Sequence, residues 1–554
     1  WQKSNYDWMK YIVTSALPYV QDVIHLGNLV GSILPADIFY KYLVMKGEDA
    51  IFICGSDEHG SAIEIAALKQ GTTPKELADK NHEKLKQLLT DSYLCTFTHY
   101  GRTGTEQNKE IVYNIFNALD KNGYLVEVRS EQPYCNVDKR FIPDRFIEGT
   151  CPYCGYEHAR GDQCDRCGRL LTPKDLINPH CNICGKSDIT FKEVKNLAIN
   201  LEKLQPKIKE YLLSHYSNSW SKNAINNSQG YIEKGLKNRE ITREIKWGFP
   251  VPKAGFEDKV FYVWFDALIG YIGISYEYNK EVAEKYWLDN NTRLIQFMGK
   301  DNIEPHTLLW PGMLIGSNLG YVLPTTIYAY EFLNWQGQKF SKSRHIGMNI
   351  EEALSLLPGE YWRFVLASIL PETADTDFTA ELLMQAVNNE LNDIVGNFIH
   401  RTLTLIKNNF DSTVPSPSSK PEIVEEINKH VNSYLSLFDS IQIREALRSV
   451  IELAGLGNEF LSKSEPWKKI KQNPDEAASI VYASAMIAKA VGILLYPFMP
   501  NSSKKICDYF SVEPKLGQIS LDIAGRKLNL EKLEPLFSKI TEKQLELLKE
   551  FSGK

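Results

Sequence analysis

Residues 11–31 read YIVTSALPYVQDVIHLGNLVG, and this stretch decides the fold. Tyr11–Val13 is a short apolar run rich in β-branched residues, which is typical of a buried strand. Pro18 ends that run, because proline has no N–H to donate to a neighbouring strand. His25–Asn28 then opens a segment whose apolar residues recur at helical spacing. A strand, a turn and a helix start together aim free backbone N–H groups at one point, so the stretch predicts an anion site.

The side chains at this helix start suit a phosphate. Gly27 lets a ligand approach the backbone without a Cβ in the way. His25 and Asn28 can both donate hydrogen bonds and lie one helical turn apart, so both can face one phosphate. The alternative is an ordinary capped helix in which the histidine binds nothing, and it fits the same residues.

A second stretch favours the phosphate interpretation. Residues 337–343, GQKFSKS, form a small polar loop that carries Lys339 and Lys342. Alone, such a loop is usually solvated surface. The chain contains no G-x-x-x-x-G-K-[ST] pattern, so an ordinary P-loop is not the explanation. Together, HLGN and KFSKS resemble the two motifs of class I aminoacyl-tRNA synthetases, His-Ile-Gly-His and Lys-Met-Ser-Lys-Ser.

Composition limits the class of protein. The 554 residues allow about two to four domains with a large core. Hydrophobic content of 43% and charged content of 24% are ordinary for a soluble globular protein. No run of about 18 apolar residues and no signal peptide appears, so we expect a cytoplasmic protein with no membrane partner. The net charge is −6, so a nucleic acid would be bound by local basic patches.

Cysteines are concentrated in one segment. Seven of the ten fall between residues 135 and 184, and dense C-x-x-C pairs in such a chain indicate metal rather than disulfides. Two C-x-x-C-G knuckles can close a tetrahedral zinc site of four thiolates, whereas a redox role fits only a single pair. The predicted ligands are Cys151, Cys154, Cys164 and Cys167.

A third knuckle suggests a second metal. It lacks a partner pair of cysteines, but Cys135 and Asp138 form a similar pair in which aspartate replaces the second thiolate. Zinc accepts carboxylate oxygen, so three thiolates and one carboxylate make a reasonable site. The candidate ligands are Cys135, Asp138, Cys181 and Cys184, with His180 as an alternative fourth ligand.

The order of patterns predicts the architecture. Residues 1–120 alternate apolar runs with helical patterns, as in a parallel α/β sheet. The pattern resumes near Lys259, with strand candidates in the aromatic run Val260–Tyr271 and at Arg293–Gly299. The cysteine-rich segment is therefore expected to be an insertion between two halves of one nucleotide-binding sheet. Beyond residue 380 we expect an α-helical bundle, with helices at Glu381–Phe410, 422–439, 442–463 and 475–496.

Asp57 and His59 follow the apolar run Ala50–Cys54, which has the composition of a buried strand. Ligands of open α/β sheets bind at the carboxyl ends of strands, so these side chains lie where a site is expected. The alternative for Asp57 is a helix cap.

Several stretches together resemble one family. TSALPYVQDVIHLGN, FICGSDEHG, YVWFDALIGY, FMGKDNIEPHT, GQKFSKS and the cysteine knuckles look like the methionyl-tRNA synthetases, in the same order and over nearly the whole chain. The resemblance implies ATP-dependent ligation of L-methionine to methionine tRNA, initiator and elongator, through a methionyl-adenylate. It also implies structural zinc, Mg²⁺ with ATP, and a Rossmann-like catalytic domain split by a zinc-knuckle insertion and followed by an α-helical anticodon-binding bundle.

The resemblance assigns residues by position. Those implied in catalysis are His25, Asn28, Lys339 and Lys342, and those implied in ATP binding are Gly27, Gly299, Asp301 and Lys342. The implied methionine site comprises Leu17, Tyr19, Asp57, Trp264, Ala267, Tyr271 and His306. Within it, Asp57 would pair with the substrate ammonium, and aromatic walls favour a thioether. Trp264 and Tyr271 could instead be sheet core.

The sequence departs from the family at two positions. Asn28 stands where the motif has its second histidine, and an amide cannot become cationic. Leu268 stands where relatives often have proline. Arg243 matches a family arginine near Asp57, with a surface salt bridge as the alternative.

The helical bundle is expected to read the anticodon. The resemblance implies contacts from Asn397, Arg401 and Trp467. Asn397 and Arg401 are four residues apart and so share one helix face. Trp467 follows Pro466 at a corner where it can project outward and stack on a base. The alternative is a core anchor between helices.

The resemblance divides the chain into five segments. These are 1–120, the first half of the Rossmann domain; 121–240, the connective insertion; 241–340, the second half; 341–380, the KFSKS loop and stem-contact segment; and 381–554, the anticodon-binding domain. A monomer is favoured. Two alternatives remain: a cysteinyl-tRNA synthetase, and a non-catalytic zinc RNA-binding protein derived from a synthetase.

Overall fold

The computed structural model describes residues 9–161, 164, 166, 167, 169, 171–216, 219–341, 345–418 and 422–551. Its strands are β1 (Lys10–Ser15), β2 (Asp49–Ser56), β3 (His99–Arg102), β4 (Leu125–Cys135), β5 (Arg140–Phe141), β6 (Ile147–Thr150), β7 (Ala159–Arg160), β8 (Ile177–Cys181), β9 (Ile189–Ile199), β10 (Arg239–Glu240), β11 (Thr242–Arg243), β12 (Val260–Phe261), β13 (Thr292–Gly299), β14 (Pro324–Tyr330), β15 (Leu333–Trp335) and β16 (Thr376–Phe378).

The α-helices are α1 (Leu26–Asn28), α2 (Leu34–Lys46), α3 (Ser61–Gln70), α4 (Pro74–Gln87), α5 (Glu106–Lys121), α6 (Leu201–His215), α7 (Lys222–Lys234), α8 (Val263–Tyr278), α9 (Lys280–Trp287), α10 (Trp310–Ser317), α11 (Ile350–Ala353), α12 (Gly359–Ser368), α13 (Ala380–Met384), α14 (Asn397–Asn409), α15 (Ile423–Asp439), α16 (Ile443–Ser464), α17 (Pro466–Gln472), α18 (Pro474–Leu494), α19 (Pro500–Phe510) and α20 (Glu542–Lys549). Wider π-helical segments lie at Leu29–Ile33, Leu88–Ser92, Pro305–Leu309 and Gln385–Gly396, and short 3-10 helices at Asp144–Phe146, Pro173–Asp175, Lys300–Asn302 and Leu516–Gln518.

A five-stranded parallel sheet forms the centre of the catalytic half, in the order β14-β13-β1-β2-β3. The central strand is β1, in which Val13 lies opposite Phe52 on one side and Ile295 on the other. Strands from the two ends of this region therefore complete one sheet, and the predicted parallel α/β core is confirmed.

Both faces of the sheet are covered, which explains why Tyr11–Val13 of β1 is an unbroken apolar run. Successive side chains of a strand point to opposite faces. Tyr11 and Val13 belong to the core that α2 and the helical bundle share, whereas Ile12 belongs to the core formed with α5 and α8.

The cysteine-rich segment folds as a separate antiparallel unit. A long ribbon of β4 and β9 carries it, and β6, β7 and β8 form a small sheet. Its buried residues form a core of their own, which includes Cys135, Cys151, Cys164 and Cys181. Since it lies between β3 and β13 in the chain, the predicted insertion between two halves of the sheet is confirmed.

One prediction was wrong. The aromatic run 260–271 contains only two strand residues, in β12, and continues as the 16-residue helix α8. That helix is buried on most sides between the sheet and α5, so it is apolar almost all round and shows no helical periodicity. Periodicity alone cannot distinguish such a helix from a buried strand.

The C-terminal part is a helical bundle, as predicted. The long helix expected at 381–410 is present as α13, the π-helical segment Gln385–Gly396 and α14 in succession. Helix α18 is long and apolar enough to cross a membrane, but 89% of its most apolar 18-residue stretch is buried inside the protein. Its burial identifies it as the core helix of the bundle.

A buried arginine joins the bundle to the sheet. Arg363 on α12 is fully buried and lies 2.6 Å from Asp37 Oδ2 on α2. Its guanidinium also donates to Tyr93 O at 3.1 Å, to Phe498 O at 3.0 Å and to Pro497 O at 2.6 Å. One side chain thus bonds α2, the loop before β3 and the segment after α18.

The carboxylate of Asp37, which pairs with Arg363, also has a second cation as a partner. Lys41 Nζ lies 2.6 and 2.7 Å from the two oxygens of Asp37 and donates to Leu94 O and Thr96 Oγ1. Burial opposes ionisation of Asp37, but the charges of Lys41 and Arg363 hold its pKa below the usual range. The cluster therefore remains charged inside the protein.

We predict that Arg363→Ala destabilises the fold by about 3–5 kcal/mol, because it removes one of the two cations that balance the buried charge of Asp37. Chemical denaturation followed by circular dichroism measures the effect. The control is Arg448→Ala, whose side chain is 68% exposed and pairs with Glu445 and Glu452, and it should shift stability by less than about 0.5 kcal/mol. Equal shifts in the two variants would contradict the assignment.

Candidate active site

The candidate site lies at the carboxyl edge of the parallel sheet, where β1, β2 and β13 end together. Pro18 and Asp57, which follow β1 and β2, are joined by a bond from Asp57 N to Pro18 O of 2.9 Å. Asp301 follows β13 on the same edge. The structure thus brings three of the predicted site segments to one place.

The helix start at His25 is a reciprocal cap. His25 Nδ1 accepts from Asn28 N at 3.2 Å, and Asn28 Oδ1 accepts from His25 N at 3.3 Å. The helix start is therefore capped, as the alternative interpretation expected. Since Nδ1 is an acceptor here, a neutral His25 ring carries its proton on Nε2 and can donate it to a ligand. The carbonyl end of Asn28 is used by the cap, which leaves its NH₂ end as the donor.

The two separated motifs meet at this point. The rings of His25 and Phe340 stack with centroids 4.6 Å apart and an interplanar angle of 14°. A Cβ at Gly27 would lie 3.0 Å from His25 Nδ1 and 3.3 Å from Phe340 Cδ2, so this packing explains the glycine. Phe340 of the second motif therefore lies directly against the His25 ring of the first.

The loop of the second motif is only partly described. Trp335 and Gln338 pair through their backbones, and Ser341 pairs with Ile346 at 3.0 Å in both directions. Lys339 is exposed. Lys342, predicted to bind ATP, lies outside the described residues.

Two buried carboxylates lie near the centre of the edge. Asp57 is 3% exposed, and among the described residues its Oδ1 has no hydrogen-bond partner. Burial, together with the charge of Asp266, raises the pKa of Asp57 well above its ordinary value. A buried carboxylate with an unused oxygen is suited to receive a cationic group.

Asp266 was missed by the sequence analysis. It is fully buried, and its Oδ2 contacts His59 Nδ1. Burial raises the pKa of Asp266, while the His59 contact lowers it. The available signal was a single acidic residue inside the apolar run YVWFDALIGY, where an unpaired charge is not expected.

Aromatic side chains form one wall beside the carboxylates. Tyr271 OH and His306 Nε2 are 2.8 Å apart, and His306 Nδ1 lies 2.9 Å from Asn302 O. Burial lowers the pKa of His306 to about 4, so the ring is neutral at pH 7. A Cβ at Gly270 would lie 3.4 Å from Leu17 Cδ1, which places Leu17 against α8. This wall is apolar with a neutral hydrogen-bonded pair inside it.

The other residues predicted to line the methionine site are more exposed to solvent than Tyr271 and His306 are. Trp264 is partly exposed, with the Arg239 guanidinium 4.8 Å from its ring centroid, and Ala267 is also partly exposed. Tyr19 is 38% exposed. Trp264 is thus not sheet core, whereas Tyr271 is fully buried.

Arg243 bonds to groups other than Asp57 among the described residues. Its Nη1 donates to Glu240 Oε2 at 2.7 Å, and its guanidinium lies 4.2 Å from the Tyr262 ring centroid. Among the described residues no ion pair joins it to Asp57.

Two side-chain clusters in the insertion could hold metal ions. In each, four ligand atoms lie within 4.8 Å of one another; the sets are Cys151, Cys154, Cys164 and Cys167, and Cys135, Asp138, Cys181 and Cys184. The Sγ atoms of Cys154 and Cys164 are 3.6 Å apart, and those of Cys151 and Cys167 are 3.9 Å apart. Tetrahedral zinc with bonds near 2.3 Å separates its sulfurs by about 3.8 Å, so the first set fits that ion.

The second set fits as well. The Sγ atoms of Cys135 and Cys184 are 3.7 Å apart, and Cys181 Sγ lies 3.2 Å from Asp138 Oδ2. His180 is not part of either group that the described residues form. Asp138 rather than His180 therefore completes the set of four groups that could hold an ion.

A third group lies at a corner of the bundle. Helix α16 ends at Ser464, the next residue Glu465 has φ of 44°, and α17 begins at Pro466. Trp467 is 43% exposed, and the Arg401 guanidinium lies 5.7 Å from its ring centroid. Arg401 Nη1 also approaches Asn458 Oδ1 at 3.5 Å. Asn397 is exposed one turn before Arg401, so these two predicted residues share one face of the helix.

Comparison with known proteins identifies the class. A family model described as tRNA synthetases class I (M) matches residues 11–403. A second model, described as the anticodon binding domain of methionyl tRNA ligase, matches residues 414–554. The chain is thus a class I tRNA synthetase in its fold and family.

Relatives specify the family. The methionine–tRNA ligase of Aeropyrum pernix is 40% identical, over 98% of this chain and 96% of the relative. That of Sulfolobus acidocaldarius is 42% identical, over 98% of this chain and 97% of the relative. The chain therefore belongs to the methionine–tRNA ligase family of enzymes, as the resemblance predicted.

Solved structures agree with the fold. The methionyl-tRNA synthetase of Mycobacterium tuberculosis, in complex with methionyl-adenylate, aligns with a TM-score of 0.79 and 23% identity. The alignment covers 96% of this chain and 100% of that one. The free-state structure of the same enzyme aligns with a TM-score of 0.73.

Proposed function

We propose that this enzyme activates L-methionine with ATP and transfers the methionyl group to methionine tRNA. In the first step a methionine carboxylate oxygen attacks the α-phosphorus of ATP, and the bond to the β-phosphate oxygen breaks to release pyrophosphate. The tRNA hydroxyl then attacks the adenylate carbonyl and releases AMP. The observation that carries the proposal is the stacking of His25 on Phe340, because it joins the two predicted phosphate-binding motifs on one surface.

The buried carboxylate of Asp57 and the aromatic wall beside it support the proposed methionine subsite. The unused Oδ1 of Asp57 is suited to the substrate ammonium, whose charge would keep the carboxylate ionised despite burial. Tyr271 and neutral His306 offer an uncharged surface to the thioether, as Leu17 does. Tyr19, Trp264 and Ala267 are proposed to complete the pocket.

The helix start at His25 and the neighbouring loops support the proposed ATP subsite. His25 Nε2–H, the Asn28 amide, Lys339 and Lys342 are proposed to stabilise charge that develops on the α-phosphate. No covalent intermediate with the enzyme is needed, so positioning and electrostatics carry the rate. Gly27 and Gly299 are proposed to admit ATP close to the backbone, and Asp301 to bind its ribose.

The experiment that tests this function is amino-acid-dependent exchange of pyrophosphate into ATP, measured with each of the twenty amino acids. Methionine should support exchange, and the other nineteen should be far slower substrates. Exchange driven equally well by cysteine, or by no amino acid at all, would refute the proposal.

Within that assay we predict that His25→Ala and Lys342→Ala each slow adenylate formation by about 10²–10³, the scale of one lost transition-state donor. Affinity for methionine should barely change, since neither side chain is placed in the methionine subsite. Equilibrium binding of methionine is the control. Exchange at the unmodified rate in both variants would rule out these roles.

We also propose that both cysteine clusters bind zinc, and that Mg²⁺ accompanies ATP. The sulfur separations fit tetrahedral coordination, and the thiolate-rich sets favour zinc over harder ions. The clusters belong to the insertion's own core and not to the sheet, so zinc would be structural there.

We predict two tightly bound zinc ions per chain, measured by elemental analysis of purified protein. Structural zinc sites carry roughly 10–16 kcal/mol of apparent binding free energy, so chelation should unfold the insertion. Asp138→Ala should lower the count toward one without affecting the four-cysteine site. A count of one in the unmodified protein would eliminate the second site, and a count of zero would eliminate both.

For the bundle, we propose that Asn397, Arg401 and Trp467 read the anticodon of methionine tRNA, initiator and elongator. An exposed indole offers a stacking face, while amide and guanidinium can bond base edges. The 43% exposure of Trp467 argues against a core anchor.

We predict that Trp467→Ala lowers the efficiency of tRNA charging by roughly 5–150-fold, because stacking of one base is worth about 1–3 kcal/mol. Pyrophosphate exchange, which needs no tRNA, should stay near normal. Trp467→Phe keeps an aromatic face and should recover much of the loss. Equal loss of both reactions in Trp467→Ala would instead identify a packing residue.

We also propose a domain division, an oligomeric state and a location for this enzyme. We retain the division into 1–120, 121–240, 241–340, 341–380 and 381–554, a monomeric state and a cytoplasmic location. Among the described residues, α18 alone passes the length and composition test for a membrane span, and it is a buried core helix, which supports the absence of a membrane role.

A further inference from the structure

A buried histidine joins the two sides of the proposed methionine subsite. His59 lies in residues 57–60, which follow β2, and Asp266 lies in the first turn of α8. His59 Nδ1 contacts Asp266 Oδ2, and the two side chains are 5% and 0% exposed. Among the described residues, this is the one side-chain hydrogen bond or ion pair between residues 57–60 and α8. We call the pair of His59 and Asp266 the clamp.

On one side, the clamp adjoins the carboxylate proposed to receive the substrate ammonium. Asp57 stands two residues before His59, and the backbone N–H of His59 faces the Asp57 side chain. Burial and the charge of Asp266 raise the pKa of Asp57, and this N–H acts in the opposite direction. The position of His59 therefore affects the charge and the surroundings of the Asp57 carboxylate.

The segment that carries His59 is also held by groups outside α8. The Glu58 carboxylate lies 2.5 Å from Arg102 Nε on β3, and Trp247 Nε1 donates to Glu58 O. The His59 ring lies edge-on to Trp247 and Phe249, with centroids 5.7 and 4.6 Å away. These contacts fix the segment to β3 and to residues 247–249, and none of them involves α8.

On the other side, the clamp adjoins the proposed thioether wall. Trp264, Ala267 and Tyr271 all lie on α8, and Asp266 is in the same helix. Most buried residues of α8 are apolar and pack in the core shared with the sheet and α5. Apolar contacts are not directional, whereas a hydrogen-bonded carboxylate and imidazole fix a distance. The clamp is therefore suited to hold α8 at one separation from the end of β2.

We propose that the clamp sets the distance between the ammonium site and the thioether wall, with His59 and Asp266 as positioning residues that select methionine by the length of its side chain. A substrate must reach Asp57 with its ammonium group and α8 with its thioether at the same time. A fixed span suits one chain length, whereas a span that yields admits a longer one. The inference deepens the proposed function and rests on it, because it assumes that methionine lies between Asp57 and α8.

The test compares pyrophosphate exchange with methionine and with ethionine, the S-ethyl homologue, which is one methylene longer. The unmodified enzyme should prefer methionine in kcat/KM by about 10–200-fold, the usual effect of one methylene in an apolar pocket. In Asp266→Ala that preference should fall by about 5-fold or more, and KM for methionine should rise by about 5-fold or more. KM for ATP should change by less than about 2-fold, because the clamp is not in the ATP subsite.

Two further variants separate the bond from the charge and from folding. Asp266→Asn keeps an oxygen that can accept from His59 Nδ1–H, so its preference should stay within about 2-fold of the unmodified value. Loss of the Asp266 charge alone affects both substrates equally, since both carry the same ammonium group. The double variant His59→Phe with Asp266→Ala leaves neither clamp partner unpaired, so it should fold and lose the preference as Asp266→Ala does.

Ser275→Ala is the matched control. Ser275 lies on the same helix, nine residues after Asp266, is 1% exposed and accepts from Trp287 Nε1 at 2.9 Å. Its replacement by alanine also removes one buried bond of α8, but far from the methionine subsite. Ser275→Ala should lower Tm and leave the preference for methionine unchanged.

The possible outcomes distinguish this inference from the proposed function. An unchanged preference in Asp266→Ala or in the double variant overturns the clamp proposal alone. Equal loss of preference in Asp266→Asn and Asp266→Ala also overturns it, because the retained bond would then not preserve the span. Equal loss in Ser275→Ala overturns it as well, since any loosening of α8 would suffice. An unmodified enzyme that exchanges with neither amino acid refutes the proposed function, and the clamp proposal falls with it.

Discussion

The whole active site depends on the parallel pairing of β1 with β2 on one side and with β13 on the other. Each of these strands ends in a segment that supplies part of the site: Pro18 and the turn to His25, then Asp57, then Gly299 and the loop after it. Parallel strands place all their carboxyl ends at one edge, so the pairing alone brings these segments together. An antiparallel partner would place its carboxyl end at the opposite edge. A one-residue register shift would keep the edge but turn every side chain of the shifted strand to the opposite face.

Buried carboxylates occur in two different environments in this protein. At the junction of sheet and bundle, Arg363 and Lys41 surround Asp37, and the described contacts give both cations several partners. At the sheet edge, Asp57 and Asp266 each keep one oxygen without a hydrogen-bond partner among the described residues. The fully paired charge of Asp37 joins the sheet to the helical bundle. Carboxylate oxygens without a hydrogen-bond partner, as on Asp57 and Asp266, are expected where a ligand supplies the missing bonds.

The sequence predicted features that local patterns determine. The strand at Tyr11–Val13, the helix start at His25 and the four-cysteine cluster each depend on residues close together in the chain. The α8 prediction failed because a helix buried on most sides has no amphipathic period to detect. The contact of Asp266 with His59 and the stacking of Phe340 on His25 join residues hundreds of positions apart, and no spacing encodes them. The reciprocal cap of His25 and Asn28 was foreseen only as an alternative, because the same residues suit a cap and a phosphate.

The position of β13 in the chain also matters before the protein is complete. A ribosome makes β1 first, and β13 follows about 280 residues later, which takes roughly 14–56 s at about 5–20 residues per second. During that interval the central strand of the nascent sheet has one open edge, lined by Tyr11, Ile12 and Val13, which are all buried later. An open apolar edge is a template for strands of other chains. The insertion made in the meantime has a core of its own, so it can fold during the interval, but the sheet must remain unfinished and protected until its last strands emerge.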